Sequence, residues 1–192
     1  MGKFARNSNG SSARTNSSAS ADLVEADDFA DYAFFLQDVR RDYVRAEAMY
    51  ERAIAAAPKH APALGNYADF LWKVRCDYVR AETMFKRAIK ADPKCALVLS
   101  NYADFLEEAR CDYVRAEAMY EQAIKADPDH ALGLRNYAVF LWEVRRDYDR
   151  AEVMFKRAIA ANPKYALGLG IYAVFLWRVR RDYDRAEAMY ER

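Results

Sequence analysis

The sequence predicts an all-α fold, an α-solenoid built from antiparallel helix–turn–helix repeats stacked one on the next. Three observations predict it. A set of residues recurs every 35 positions, apolar residues within each interval are spaced as on one face of a helix, and a proline closes each interval.

The period is the most specific feature of the chain. Tyr32, Tyr67, Tyr102, Tyr137 and Tyr172 fall 35 residues apart, as do Asp42, Asp77, Asp112, Asp147 and Asp182, and Glu47, Glu82, Glu117, Glu152 and Glu187. Pro58, Pro93, Pro128 and Pro163 keep the same interval. The repeats run at about 26–60, 61–95, 96–130, 131–165 and 166–192, within a repeat domain covering residues 22–192.

Each element has a local cause. In the second repeat Leu64, Tyr67, Ala68 and Leu71 fall at i, i+3, i+4 and i+7 and define helix A. After the polar break Arg75-Cys76-Asp77, a second stripe of Tyr78, Ala81, Met84/Phe85 and Ala88/Ile89 defines helix B. Asp77 is placed to cap helix B by accepting hydrogen bonds from its unpaired N–H groups. Glu82 and Lys86 stand four apart in the favourable order, and Pro93 ends the helix because it lacks an N–H. One hairpin has apolar residues on more than one side and buries them only against copies of itself. The alanines Ala68, Ala81 and Ala88 let helices approach closely, so Ala88→Leu should overpack the repeat.

These residues carry a family resemblance. Asp147-Tyr148, Ala151, Phe155, Ala158-Ile159 and Pro163 resemble the second half of a tetratricopeptide repeat, and Leu134, Tyr137, Ala138 and Leu141 resemble its first helix. The resemblance covers residues 26–192 and implies a right-handed superhelix whose concave groove, lined mainly by A helices, binds protein partners. Two departures imply an altered superhelix. The repeat has one residue more than the usual length of about 34, placed between Leu141 and Asp147, and alanine stands where glycine is common at the first close-packing site. Tyr-Ala-Asp-Phe and Met-Tyr-Glu-Arg-Ala-Ile are also similar to the half-a-TPR repeats of RNA-processing assemblies. The pentatricopeptide class is disfavoured because its usual glycines and helix-B pattern are missing.

A pattern over two repeats is superimposed on the first. Glu51, Lys86, Glu121, Lys156 and Glu191 alternate in sign beside Tyr50, Phe85, Tyr120, Phe155 and Tyr190. It suggests growth by duplication of a repeat pair, with opposite charges on neighbouring B helices.

Composition narrows the function classes. With 30 basic and 29 acidic residues the net charge is +1, which gives no global attraction to nucleic acid or to an anionic membrane. The row Arg40, Arg75, Arg110, Arg145 and Arg180 could supply phosphate contacts, but interleaved Asp42, Asp77 and their equivalents should neutralise it. No apolar run reaches the roughly 18–20 residues of a spanning helix. Three cysteines, Cys76, Cys95 and Cys111, form neither a disulfide framework nor a close-spaced metal motif. An intracellular, cytoplasmic setting is expected. Residues 1–21, rich in Ser, Asn and Gly with no acid, read as a disordered tail, with an organelle transit peptide as the other reading.

No catalytic set, cofactor fingerprint or metal cluster is legible, so a non-catalytic scaffold is expected, without cofactor. His60, Cys95, His130 and Tyr165 share one repeat position and read as a variable inter-repeat site. By the resemblance, Asn66, Asn101 and Asn136 sit where an extended peptide backbone is often hydrogen-bonded. Residues varying between repeats on the groove face add Gly65, Ser100, Arg135 and Gly170 at one position and Asp69, Asp104, Val139 and Val174 at another. Asp69 and Asp104 would repel a terminal carboxylate. Trp72, Trp142 and Trp177 share one position, held by Gln37 and Glu107 in the first and third repeats, and either anchor a peptide or pack on the next helix pair. The partner is expected to be a protein or peptide. The last repeat ends at Tyr190-Glu191-Arg192 where the others continue, so the chain reads as a fragment or as one whose end another chain covers, with self-association through that end a further expectation. A half-a-TPR-like module of an RNA-processing assembly and a self-assembling or engineered repeat array are the alternative functions.

Overall fold

The structure, a computed structural model, describes residues 10–192. They form ten α-helices and, among the described residues, no strand. Helices pair in sequence order as A and B: α1 (Gly10–Phe35) with α2 (Tyr43–Ala56), α3 (Ala61–Lys73) with α4 (Tyr78–Ala91), α5 (Ala96–Glu108) with α6 (Tyr113–Ala126), α7 (Ala131–Phe140) with α8 (Tyr148–Ala161), and α9 (Ala166–Phe175) with α10 (Tyr183–Tyr190). The chain divides into two compact parts, one ending at Ala91 and the other beginning at Asp92. In the first part α3 packs on α1 and α2. In the second, α7 packs on α5 and α6, and α9 on α7 and α8. Within each part a repeat thus rests on its predecessor, the arrangement of an α-solenoid. The tail boundary drawn at residue 21 falls inside α1, which begins at Gly10; residues 1–9 of that tail lie outside the described residues.

The additional residue of the repeat is taken up where helix A ends. After α1, α7 and α9 the chain makes one wide π-helical turn, Leu36–Arg40, Leu141–Arg145 and Leu176–Arg180. The Leu141 carbonyl accepts the N–H groups of both Arg146 and Asp147, the latter at 2.9 Å. The same six-residue closure joins Asp77 to Leu71 and Asp112 to Leu106. It leaves one residue per repeat in the left-handed region, Arg41, Cys76, Cys111, Arg146 and Arg181, at φ 53–58°. A side chain there costs about 1 kcal/mol that glycine would avoid. The aspartate that follows caps helix B as expected: Asp42, Asp77, Asp112, Asp147 and Asp182 accept the N–H three residues on at 3.0–3.2 Å. Between repeats, Asp92, Asp127 and Asn162 precede the prolines and accept the N–H two residues on, which fixes the turn into the next A helix.

In each part of the chain the core sets aromatic rings between alanines. Tyr50, Tyr120 and Phe155 of the B helices are buried against the next A helix, stacking on Tyr67, Tyr137 and Tyr172 with centroids 5.4–5.7 Å apart and tilting on Phe70, Phe140 and Phe175. Ala68, Ala81 and Ala88 have no exposed surface. Phe85 is equally buried, whereas Met84 and Ile89 are half-buried. Tyr78, assigned by periodicity to the helix-B stripe, is exposed: it is the first residue of α4, where the chain has not yet turned toward the core.

Candidate functional site

Charges are ordered by the stacking. Arg75 meets Glu47 at 2.7 Å, Arg145 meets Glu117 at 2.7 Å and Arg180 meets Glu152 at 2.7 Å, each glutamate lying on the B helix of the preceding repeat. Arg80, Arg150 and Arg185 reach the same glutamates at 3.0–3.3 Å. Arg75, Arg145 and Arg180 of the arginine row are therefore neutralised by glutamates one repeat back, and Arg180 by Asp149 as well. The tyrosine hydroxyls of Tyr67, Tyr137 and Tyr172 point into the same knots. Burial works against the Glu152 carboxylate, yet hydrogen bonds from Lys156 and Arg185 and the charges of Lys156 and Arg180 outweigh it and hold its pKa at about 2. The alternating charges of neighbouring B helices find other partners: Lys86 takes Glu82 at 2.7 Å, Lys156 takes Glu152 at 2.9 Å and Glu121 takes Arg150 at 3.3 Å.

Several candidate groove residues are committed to the fold. Asp104 accepts the Tyr120 hydroxyl at 2.6 Å and the Asn136 side-chain amide at 2.7 Å. Glu107 shares that hydroxyl at 3.0 Å, and its carboxyl is pushed up by burial, opposed by the Tyr120 bond and reinforced by Glu108 and Glu143. Asn101 is buried and Asn66 half-buried. Asp69 pairs with Lys73 at 3.0 Å while its other oxygen is buried without a partner; burial raises its pKa and Lys73 opposes the rise. The three tryptophans differ although their sequence position is one. Trp72 is 7% exposed, Trp142 is half-buried with its ring edge-on to Phe175 at 5.6 Å, and Trp177 is 45% exposed. Trp142 therefore packs on the next helix pair and still presents an edge to the surface.

The remaining candidates converge. Arg135, Val139 and Trp142 of α7 and its terminal turn, with Glu143, face Ile171, Val174 and Arg178 of α9 and its turn across a cleft of about 280 Å³. Its apolar part is Val139 and Trp142 opposite Ile171 and Val174, bordered by Arg135, Glu143 and Arg178. Arg135 lies over the Tyr165 ring at 5.9 Å, and its Nε is buried with no hydrogen-bond partner. Gly170 leaves the α9 surface open. Sequence reasoning missed Ile171 and Arg178. Their signal was a break in series: Ile171 follows Asn66, Asn101 and Asn136, and Arg178 follows Lys73, Glu108 and Glu143. Among the described residues no three His, Cys, Asp or Glu side chains are grouped to hold a metal ion, and no helix is long and apolar enough to cross a membrane.

Stacked helix–turn–helix repeats define an α-solenoid, here with an arginine-flanked cleft on the A-helix surface. The tetratricopeptide repeat family's sequence profile matches residues 40–103 and 75–132. Over residues 40–132 the chain carries tetratricopeptide-like repeats, and its fold is that of tetratricopeptide repeat proteins. Solved structures agree in fold. The Pseudomonas aeruginosa PilF structure is 20% identical, with a TM-score of 0.72 over 89% of this chain and 76% of its own. TTC0263, a thermophilic TPR protein of Thermus thermophilus, is 18% identical, with a TM-score of 0.71 over 86% and 88%. YrrB, described as a TPR protein with an unusual peptide-binding site, is 18% identical, with a TM-score of 0.54 over 84% and 80%. None of the curated proteins matches the chain in sequence.

Proposed function

We propose that the chain is a non-catalytic scaffold that holds an extended segment of a partner protein in the cleft between α7 and α9. The observation that carries this reading is Arg135, whose buried Nε lacks a partner beside four apolar side chains. A buried donor without an acceptor costs about 1–3 kcal/mol, which a bound carboxylate or carbonyl would recover. Val139, Trp142, Ile171 and Val174 supply the desolvated surface that gives such a contact its affinity. That YrrB is described by its peptide-binding site supports the reading by analogy of fold. Direct RNA binding is disfavoured, because Arg75, Arg145 and Arg180 are engaged by glutamates. The free thiols Cys76, Cys95 and Cys111 suit a reducing, intracellular setting. The test is affinity capture from lysate, with and without ribonuclease, using the chain and its Arg135→Ala and Ile171→Asp variants. Proteins retained after ribonuclease and lost with both variants support the scaffold; partners lost only on ribonuclease treatment support an RNA-assembly module instead.

A second reading, association between copies of the chain, is favoured by one observation. Tyr32 and Phe35 of α1 are 41% and 39% exposed, while their counterparts in the next repeat, Tyr67 and Phe70, are 3% and 0% exposed.

A further inference from the structure

One contact joins repeat to repeat, and its two halves also stand on α10 and α1. In the first part of the chain Tyr50 of α2 stacks on Tyr67 and lies 5.3 Å from Phe70 of α3. Glu47 takes Arg75 at 2.7 Å and Arg80 at 3.1 Å, and Glu51 accepts the Tyr67 hydroxyl at 3.3 Å. In the second part Tyr120 repeats this on Tyr137 and Phe140, Glu117 on Arg145 and Arg150, and Glu121 on Tyr137. The giving half is thus Glu-x-x-Tyr-Glu on a B helix. The receiving half is Tyr-x-x-Phe on an A helix, with arginines five and ten residues after the Phe.

Glu187, Tyr190 and Glu191 carry the giving half at and just beyond the end of α10, and Tyr190 is 59% exposed. Tyr32, Phe35, Arg40 and Arg45 carry the receiving half on and after α1. Arg40 rests over its own Phe35 ring at 5.7 Å, and Arg45 reaches Asp42 and the Tyr32 hydroxyl. Neither meets a glutamate among the described residues. We propose that a second copy of this chain docks its α10 on α1, head to tail, by the internal joint. The proposal rests on the self-association reading above. Tyr190 would stack on Tyr32 and Phe35, Glu187 would take Arg40 and Arg45, and Trp177 would meet Phe35 edge-on as Trp142 meets Phe175.

The joint is partial, and that sets its strength. Ala53 of α2 packs with Ala30 and Ala63 in the internal contact. Asp28 stands in α1 where Ala63 stands in α3, so this alanine contact is not reproduced on α1. Association therefore uses the aromatic and arginine half, is weak, and loses affinity as salt screens the charges. Because the contact is heterologous, each docked copy offers the same two faces again.

The experiment is sedimentation velocity on the full chain over a concentration series at low and high salt. The wild type should move from the monomer mass to multiples of it, more so at low salt. Tyr190→Ala/Glu187→Lys and Tyr32→Ala/Arg40→Glu should each remain monomeric. An equimolar mixture of the two should form a one-to-one dimer and nothing larger, since each keeps one intact face. Circular dichroism checks that both variants stay folded. Persistent association of both variants would overturn this joint while leaving self-association standing; a wild type that is monomeric throughout would overturn both.

Discussion

Replacing Glu152 by glutamine should weaken the joint between the fourth and fifth repeats, and the structure sets the size of the loss. The carboxylate meets Arg180 at 2.7 Å, Lys156 at 2.9 Å and Arg185 at 3.0 Å, and accepts the Tyr172 hydroxyl at 3.4 Å. Its side chain is 13% exposed. Glutamine keeps the shape and one acceptor but removes the charge. The fall of the Glu152 pKa from 4.5 to about 2 corresponds to an upper bound of about 3 kcal/mol between ionised and protonated forms. Its cationic partners are partly solvated, so screening brings the expected loss to about 1–2 kcal/mol at neutral pH. A carboxylate whose pKa is depressed by folding stabilises fully above the unfolded value and loses that contribution as pH falls through the folded one. The wild type should therefore lose its advantage over Glu152→Gln between about pH 4.5 and pH 2. Urea unfolding followed by circular dichroism, fitted with coupling between neighbouring repeats, measures the difference at each pH. A gap equally large at both ends of that range, or none at neutral pH, would refute the charge-knot account.

Four further outcomes follow from particular contacts. Asp147→Ala removes the helix-B cap at Arg150 and should cost about 1 kcal/mol, with faster hydrogen exchange at the Arg150 amide. Arg146→Gly, at φ 58°, should leave stability unchanged or raise it by up to about 1 kcal/mol, while Arg146→Val should lower it; thermal unfolding of the pair decides. Burial, reinforced by Glu152 and opposed by Arg185, pushes Tyr172 to about 12. The neutral phenol is favoured in the fold, so its contribution is complete below about pH 10 and lost as pH rises through about 12, which phenolate absorbance and stability followed together would show. Trp142→Ala should abolish cleft binding and cost about 1–2 kcal/mol through the lost Phe175 contact and burial; unchanged binding by the folded variant would remove Trp142 from the site.

The fold was legible because its determinants are local and repeated. The capping aspartates, the Glu82–Lys86 pair and the position of the additional residue before Asp147 all follow from neighbours a few residues apart. What the sequence did not disclose depends on the register between repeats. Arg75 reaches Glu47 across 28 residues and Arg80 reaches it across 33, so neither pairing is visible until the repeats are stacked. Trp72 and Trp177 occupy one sequence position yet differ between burial and exposure, because the surroundings rather than the residue decide. Asn136 had the right type for a peptide-binding amide, but Asp104 claims its side-chain N–H. Ile171 and Arg178 were hidden by the opposite effect: their repeat equivalents are polar or differently charged, and only the facing of α7 and α9 gives them a common cleft.

The most direct test of the central claim is heteronuclear NMR on the full chain, titrated with peptides selected against it from a random extended library. The account predicts that bound peptides perturb Arg135, Val139, Trp142, Ile171, Val174 and Arg178 together, and that Arg135→Ala weakens binding. Selected peptides that bind while these residues stay unshifted, with perturbations gathered on the B helices, would contradict it.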